Sequence, residues 1–216
     1  ISCSLVGSEM CIRDSMWTII IAVALVLIAA VVFTWKSSAM STRKMVTIAM
    51  LTAVYVVLNF AGTVRLGWIN ISVASLPVIV GAMLYGPVGG LLVGLLGAFM
   101  GQLLTYGVTA TTILWILPQA ARGLLVGIYA KHCGYSFSRG QLTAALIGTA
   151  LVVTALNTGA MYIDSVIYNY YSYAYVFGGL VVRIISGAAT AVLMVFVAPP
   201  VVNLLNRSLD TVRTAQ

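Results

Sequence analysis

The sequence predicts an all-α integral membrane protein with a six-helix core and one extra N-terminal transmembrane helix. Composition is the first ground for this. Hydrophobic residues make up 62% of the 216 and charged residues 7%, and the mean hydropathy is +1.09. A soluble domain carries roughly a quarter charged residues. Eleven bases and four acids cannot cover a globular surface of this size, so most of the surface must face lipid. The second ground is that the apolar residues fall into long runs. The third is that the bases gather in alternate connections between those runs.

The stretch Ile1 to Ser15 reads ISCSLVGSEMCIRDS. It has no helical apolar period and no basic lead. It resembles translated library-adapter sequence and is set aside as non-native, with the native start expected at Met16 or in sequence lost upstream. Without it, Glu9, Arg13 and Asp14 drop out and the net charge moves from +7 to +8. Cys3 and Cys11 drop out too. Cys133 then stands alone, which excludes an intrachain disulfide or a cysteine metal site.

Met16–Trp35 is an apolar run of about 20 residues, enough to cross a bilayer at ~1.5 Å per residue. Its bases follow the run instead of preceding it, which argues for an N-out helix over a signal peptide. The core covers 42–207. Its spans are Met45–Gly62, Val73–Tyr85, Val88–Leu104, Thr111–Ala130, Leu142–Ile163 and Ala174–Val202. A Gly86-Pro87 turn separates the second from the third, and 208–216 is a tail. With Lys36, Arg43 and Lys44 inside, alternation also places Lys131, Arg139, Arg207 and Arg213 inside. Only Arg65 falls in an outer loop. That asymmetry orients the chain with its C-terminus in the cytoplasm.

Polar residues within or beside the spans are the candidates for chemistry. Arg183 lies about nine residues into the last apolar run, roughly 13 Å deep. Arginine there costs several kcal/mol unless paired or wet. It can pair with Asp164, bond backbone carbonyls and Asn157, or face a cavity that takes an anion. Arg122 reads instead as bonded to carbonyls freed by Pro118, or as snorkelling inward. Tyr168, Tyr170, Tyr171, Tyr173 and Tyr175 put five tyrosines within eight residues of the last outer loop. They suit an interfacial aromatic belt, and equally a wall that stacks on a flat ring. Small residues recur one helical turn apart: Ala49 and Ala53; Gly86, Gly90, Gly94 and Ala98; Gly123 and Gly127; Ala144 and Gly148; Gly187 and Ala191. Such spacing lets helices approach closely in lipid.

Several classes are excluded or weakened. No P-loop, H-E-x-x-H or G-x-S-x-G motif occurs, so neither P-loop ATP hydrolysis nor these enzyme chemistries are expected, and no cofactor or metal is implied. Beyond the adapter-like stretch the only acids are Asp164 and Asp210, which speaks against a proton-driven carrier. The bases follow membrane topology, so nucleic acid is not an expected partner.

The stretch Val64 to Tyr129 joins a polar loop to Ile71-Ser72-x-x-x-Leu76-Pro77, a Gly-Pro turn and a glycine-rich helix. With Asn157-Thr158 and Arg183 in the next helices, it resembles the S components of energy-coupling-factor (ECF) vitamin importers, the folate-type family above all. The likeness runs from about Thr42 to Arg207. It implies a six-helix binding subunit in the bacterial cytoplasmic membrane. Such a subunit captures a vitamin at the outer face and works with a transmembrane T component and two cytoplasmic ATPases. It also implies docking of the T component at Ala49 and Ala53, and gating by the Thr63–Ser72 loop. On this basis the ligand is a folate-like or other heterocyclic, anionic vitamin or precursor. Arg183 and Arg65 are its expected anion partners. Asn157 and Gln102 orient polar ring edges, Trp68, Trp115, Tyr168 and Tyr171 stack or close the lid, and Asn70 is a further expected binding residue. The competing expectation is a small multi-span scaffold protein whose glycine stripes all serve packing and partner faces.

Overall fold

The computed structural model describes residues 42–61, 63–66, 69–109, 111–135 and 139–214. The expected Met16–Trp35 helix, the stretch before it, and Trp68 lie outside the described residues. In chain order the elements are α1 (Thr42–Ala61), β1 (Thr63–Leu66), β2 (Ile69–Ser72), α2 (Ser75–Tyr106), α3 (Thr112–His132), α4 (Arg139–Ile167), α5 (Tyr173–Phe177) and α6 (Leu180–Thr214). Among the described residues, five helical stretches are long and apolar enough to cross a membrane: α1, α2, α3, α4 and Tyr173–Leu205. Their outward side chains are apolar. Met50 is 66% exposed and Phe196 68%. Such a surface is stable against lipid and not against water.

The sequence expects two spans where α2 runs. The helix is indeed broken at Gly86, whose φ of 71° and ψ of −156° suit glycine and little else. Pro87 follows, where a missing N–H is harmless because a new helix begins there. The two arms, 75–85 and 87–106, fold back on each other. A Cβ built on Gly89 would stand 2.8 Å from the Gly81 carbonyl oxygen, and one on Gly90 would stand 2.6 Å from the Ala82 Cβ. The first arm is only ~16 Å long at helical rise, short of a full crossing.

Within the Thr63–Ser72 stretch, expected as a loop, Thr63–Leu66 and Ile69–Ser72 pair as antiparallel strands, here called the hairpin. Val64, Ile69 and Ile71 supply the β-branched residues that favour it. Its register pairs Arg65 with Asn70, and β2 packs against α6. The last apolar run also differs from expectation. It is interrupted at Gly178-Gly179, between α5 and α6. Arg183 therefore sits in the first turn of α6, far shallower in its helix than a count from Ala174 suggests.

The tightest pairing joins α2 to α3. A Cβ on Gly123 would meet the Gly90 carbonyl oxygen at 2.0 Å, one on Gly94 the Gln119 carbonyl oxygen at 2.5 Å, and one on Gly127 the Pro87 Cα at 2.4 Å. Gly97 turns to α1, where a Cβ would lie 2.6 Å from the Tyr55 ring. These predicted glycine stripes are thus internal packing surfaces. The core continues through Val78, Val80, Val93, Leu146 and Met194, which join α2, α4 and α6.

Candidate functional site

Two cavities lie along the seam between α3 and α4. The seam follows from helical spacing. Trp115, Gln119 and Arg122 stand four and three residues apart on α3, so they share one stripe. Asn157 and Asp164, seven apart, do the same on α4.

The first cavity, about 280 Å³, opens between α3, α4, α6 and the end of the hairpin. Gln119, Arg122, Thr154, Asn157, Arg183 and Ser186 line it, with Ser72 at the hairpin edge. Among the described residues no carboxylate does. Arg183 donates to the Val176 carbonyl at 3.2 Å and to the Tyr175 carbonyl at 3.3 Å, tying α6 to α5. It does not pair with Asp164, so of the alternatives set out for it, carbonyl bonding and cavity lining occur together. Arg122 donates no hydrogen bond to another described residue, including the carbonyl freed by Pro118. The Gln119 Oε1 is buried without a partner among the described residues. A buried acceptor left unpaired costs about 1–3 kcal/mol, which a ligand N–H can remove. Below Arg122 a void of about 10 Å³, closed by Ile79, Leu146 and Met194, ends the cavity. It has room for about one water.

The second cavity, about 340 Å³, lies one turn of α3 away, at the C-terminal end of α4. Gln102, Trp115, Asp164, Tyr168 and Tyr175 line it. The carboxylate is held by two hydroxyls: Thr111 Oγ1 donates to Oδ1 at 2.5 Å, and the Tyr170 hydroxyl donates to Oδ2. Burial and then this bond to Asp164 push the Tyr170 phenol above its ordinary range. It therefore stays a donor at physiological pH.

The expected binding residues are divided by this geometry. Asn157 and Arg183 line the first cavity, and Gln102, Trp115 and Tyr168 the second. Tyr171 lines neither. Its ring meets Tyr162 edge-to-face, with centroids 5.5 Å apart. Arg65 and Asn70 lie on the hairpin strands. Gln119 and Arg122 were not among the expected binding residues. Their shared stripe with Trp115 is the signal that could have found them. Ala49 and Ala53 lie on the exposed face of α1, beside Met45, Met50 and Val54.

A family model described as "ECF transporter, substrate-specific component" matches residues 43–202. That range takes in α1 to α5, both cavities, and α6 as far as Val202. A UPF0397 protein of Lactobacillus gasseri is 32% identical over 99 residues, which is 45% of this chain and 52% of that protein. The chain therefore spans about half the length of this curated relative.

Proposed function

The chain belongs to the substrate-specific components of ECF transporters, which are membrane-borne binding subunits and not enzymes, and from that premise we propose that it captures a small anionic heterocyclic vitamin or precursor. One observation carries this. Arg122 and Arg183 line a polar cavity inside an otherwise apolar helical bundle, and no carboxylate among the described residues lines it with them. Cations placed so are costly in a membrane unless something pairs with them. An anionic ligand group does so, and charge-assisted bonds to it are stronger than neutral ones. Gln119 and Asn157 are close by to bond the ligand's polar edges. A folate-like vitamin, as the folate-type resemblance suggests, is one member of the class proposed.

The bound vitamin is taken up at the outer face, with the C-terminus in the cytoplasm as the charge asymmetry indicates. Uptake uses a T component and ATPases. The exposed small residues Ala49 and Ala53 on α1 are the proposed T-component contact. The hairpin at 63–72, with Arg65, Trp68 and Asn70, is the proposed lid.

The test is a thermal-shift screen of the purified chain in detergent against folate, thiamine monophosphate, riboflavin, pantothenate and nicotinate. A compound that binds only the folded protein raises apparent stability by RT ln(1 + [L]/Kd), about 2.7 kcal/mol at one hundred times Kd. At least one anionic member is expected to raise Tm, and Arg122→Gln is expected to abolish that rise. No shift with any compound on monodisperse protein sinks the proposal.

A further inference from the structure

The second cavity has a chemistry opposite to the first. Its charged group is Asp164, the one acidic residue between Thr42 and Arg207. An ionised carboxylate only accepts hydrogen bonds, and it has about four lone-pair positions. Thr111 and Tyr170 fill two of them and fix the group in place. The remaining capacity belongs to a carboxylate that lines the cavity. Trp115, Tyr168 and Tyr175 add aromatic surface, which stacks on flat rings. Gln102 adds an amide that both donates and accepts.

From this we infer that the Asp164 cavity receives an amino-substituted heteroaromatic ring belonging to the same ligand whose anionic end meets Arg122 and Arg183. The inference rests on the anion-binding reading of the first cavity and extends it to a substrate class. Each cavity alone, at about 280 and 340 Å³, sits near the lower end of ligand pockets, roughly 300–1,000 Å³. Trp115 and Arg122 are seven residues apart, ~10 Å along α3. The two cavities share no lining residue, so the ligand must carry its ring and its anion that far apart and pass between the cavities beside α3. Its ring N–H groups meet the carboxylate, and its acid meets the arginines.

The experiment measures affinity of the wild-type chain in detergent for four compounds. Folate and thiamine monophosphate carry both an anion and an amino-substituted heteroaromatic ring. Pantothenate carries a carboxylate without a ring, and nicotinate a carboxylate on a ring without an amino group. The expected result is binding of at least one of the first pair, at least tenfold tighter than either of the second. Asp164→Asn keeps an oxygen for Thr111 and is expected to weaken that binding at least tenfold. If Asp164→Asn does not fold, Gln102→Leu decides, with a loss of at least threefold expected. Pantothenate or nicotinate binding as tightly as the first pair overturns the inference and leaves the anion reading standing. So does an affinity for the bound compound that the deciding variant leaves unchanged. Absence of binding by all four to folded wild-type protein overturns both.

Discussion

Helix α3 presents two neighbouring stripes with opposite character. Along one, Gly123 and Gly127 bring its backbone against Gly90 and Pro87 of α2, with no room for a methyl group. Along the other, Trp115, Gln119 and Arg122 border cavities of about 340 and 280 Å³. The first stripe is dry and built from residues without side chains. The second is polar and leaves the Gln119 Oε1 and the Arg122 guanidinium without a hydrogen-bond partner among the described residues. The contrast shows a division of labour within one helix. Close backbone contact on the glycine stripe holds α3 rigidly, and that rigidity positions Gln119 and Arg122 on the other side to line the cavity.

The largest effect expected from breaking this contrast lies on the dry stripe. In Gly123→Leu the new Cβ would fall 2.0 Å from a backbone oxygen, and no side-chain rotation relieves that. Overpacking of this kind costs at or above ~3 kcal/mol. The variant is expected to lose its monodisperse peak in size-exclusion chromatography. Recovery of wild-type yield and Tm would show that the helices are not held as described.

The polar stripe should respond in the opposite sense. Arg122→Gln removes a half-buried cation that has no ion-pair partner among the described residues, so ligand-free Tm should hold or rise. Affinity for the anionic ligand should fall roughly 100-fold, the loss of charged hydrogen bonds worth ~1.5–3 kcal/mol. A drop in ligand-free Tm with unchanged affinity would make Arg122 structural. The neighbouring arginine is expected to matter less. Arg183 already spends two donors on the Val176 and Tyr175 carbonyls. Arg183→Gln should weaken binding roughly tenfold, and loosening of α5 should appear as faster proteolysis near Gly178. Equal losses from the two arginines would mean that the carbonyl bonds of Arg183 are given up on ligand binding.

The dry stripe was legible in the sequence and the polar one only in part. Glycines one turn apart in an apolar run have a single physical use, close helix approach, and Gly86-Pro87 has few conformations open to it. Hydropathy, by contrast, is blind to the break at Gly178-Gly179, because glycine scores near neutral within an apolar run. Arg183 therefore looked deep. Arg122, four residues after Pro118, had a local explanation in the freed carbonyl, and only the packing of α4 and α6 shows that its surroundings are a cavity. Asn157 and Gln102, alike in chemistry, were expected in one site. Their separation depends on how α2 and α4 meet α3, which no local pattern encodes.

The smallest expected effect isolates the glycine argument itself. Gly148 lies on the exposed side of α4, and a Cβ there would meet nothing within 4 Å among the described residues. Its backbone is helical, so alanine fits without strain. Alanine in place of a helical glycine stabilises by ~0.5–1 kcal/mol, because glycine has more conformational freedom to lose on folding. Gly148→Ala should therefore raise Tm slightly in detergent, where Gly123→Leu destroys the fold. Substitution at a glycine would then be read by what surrounds it and not by residue type. A loss of stability in Gly148→Ala would place a neighbour against that face of α4 which the described residues do not supply.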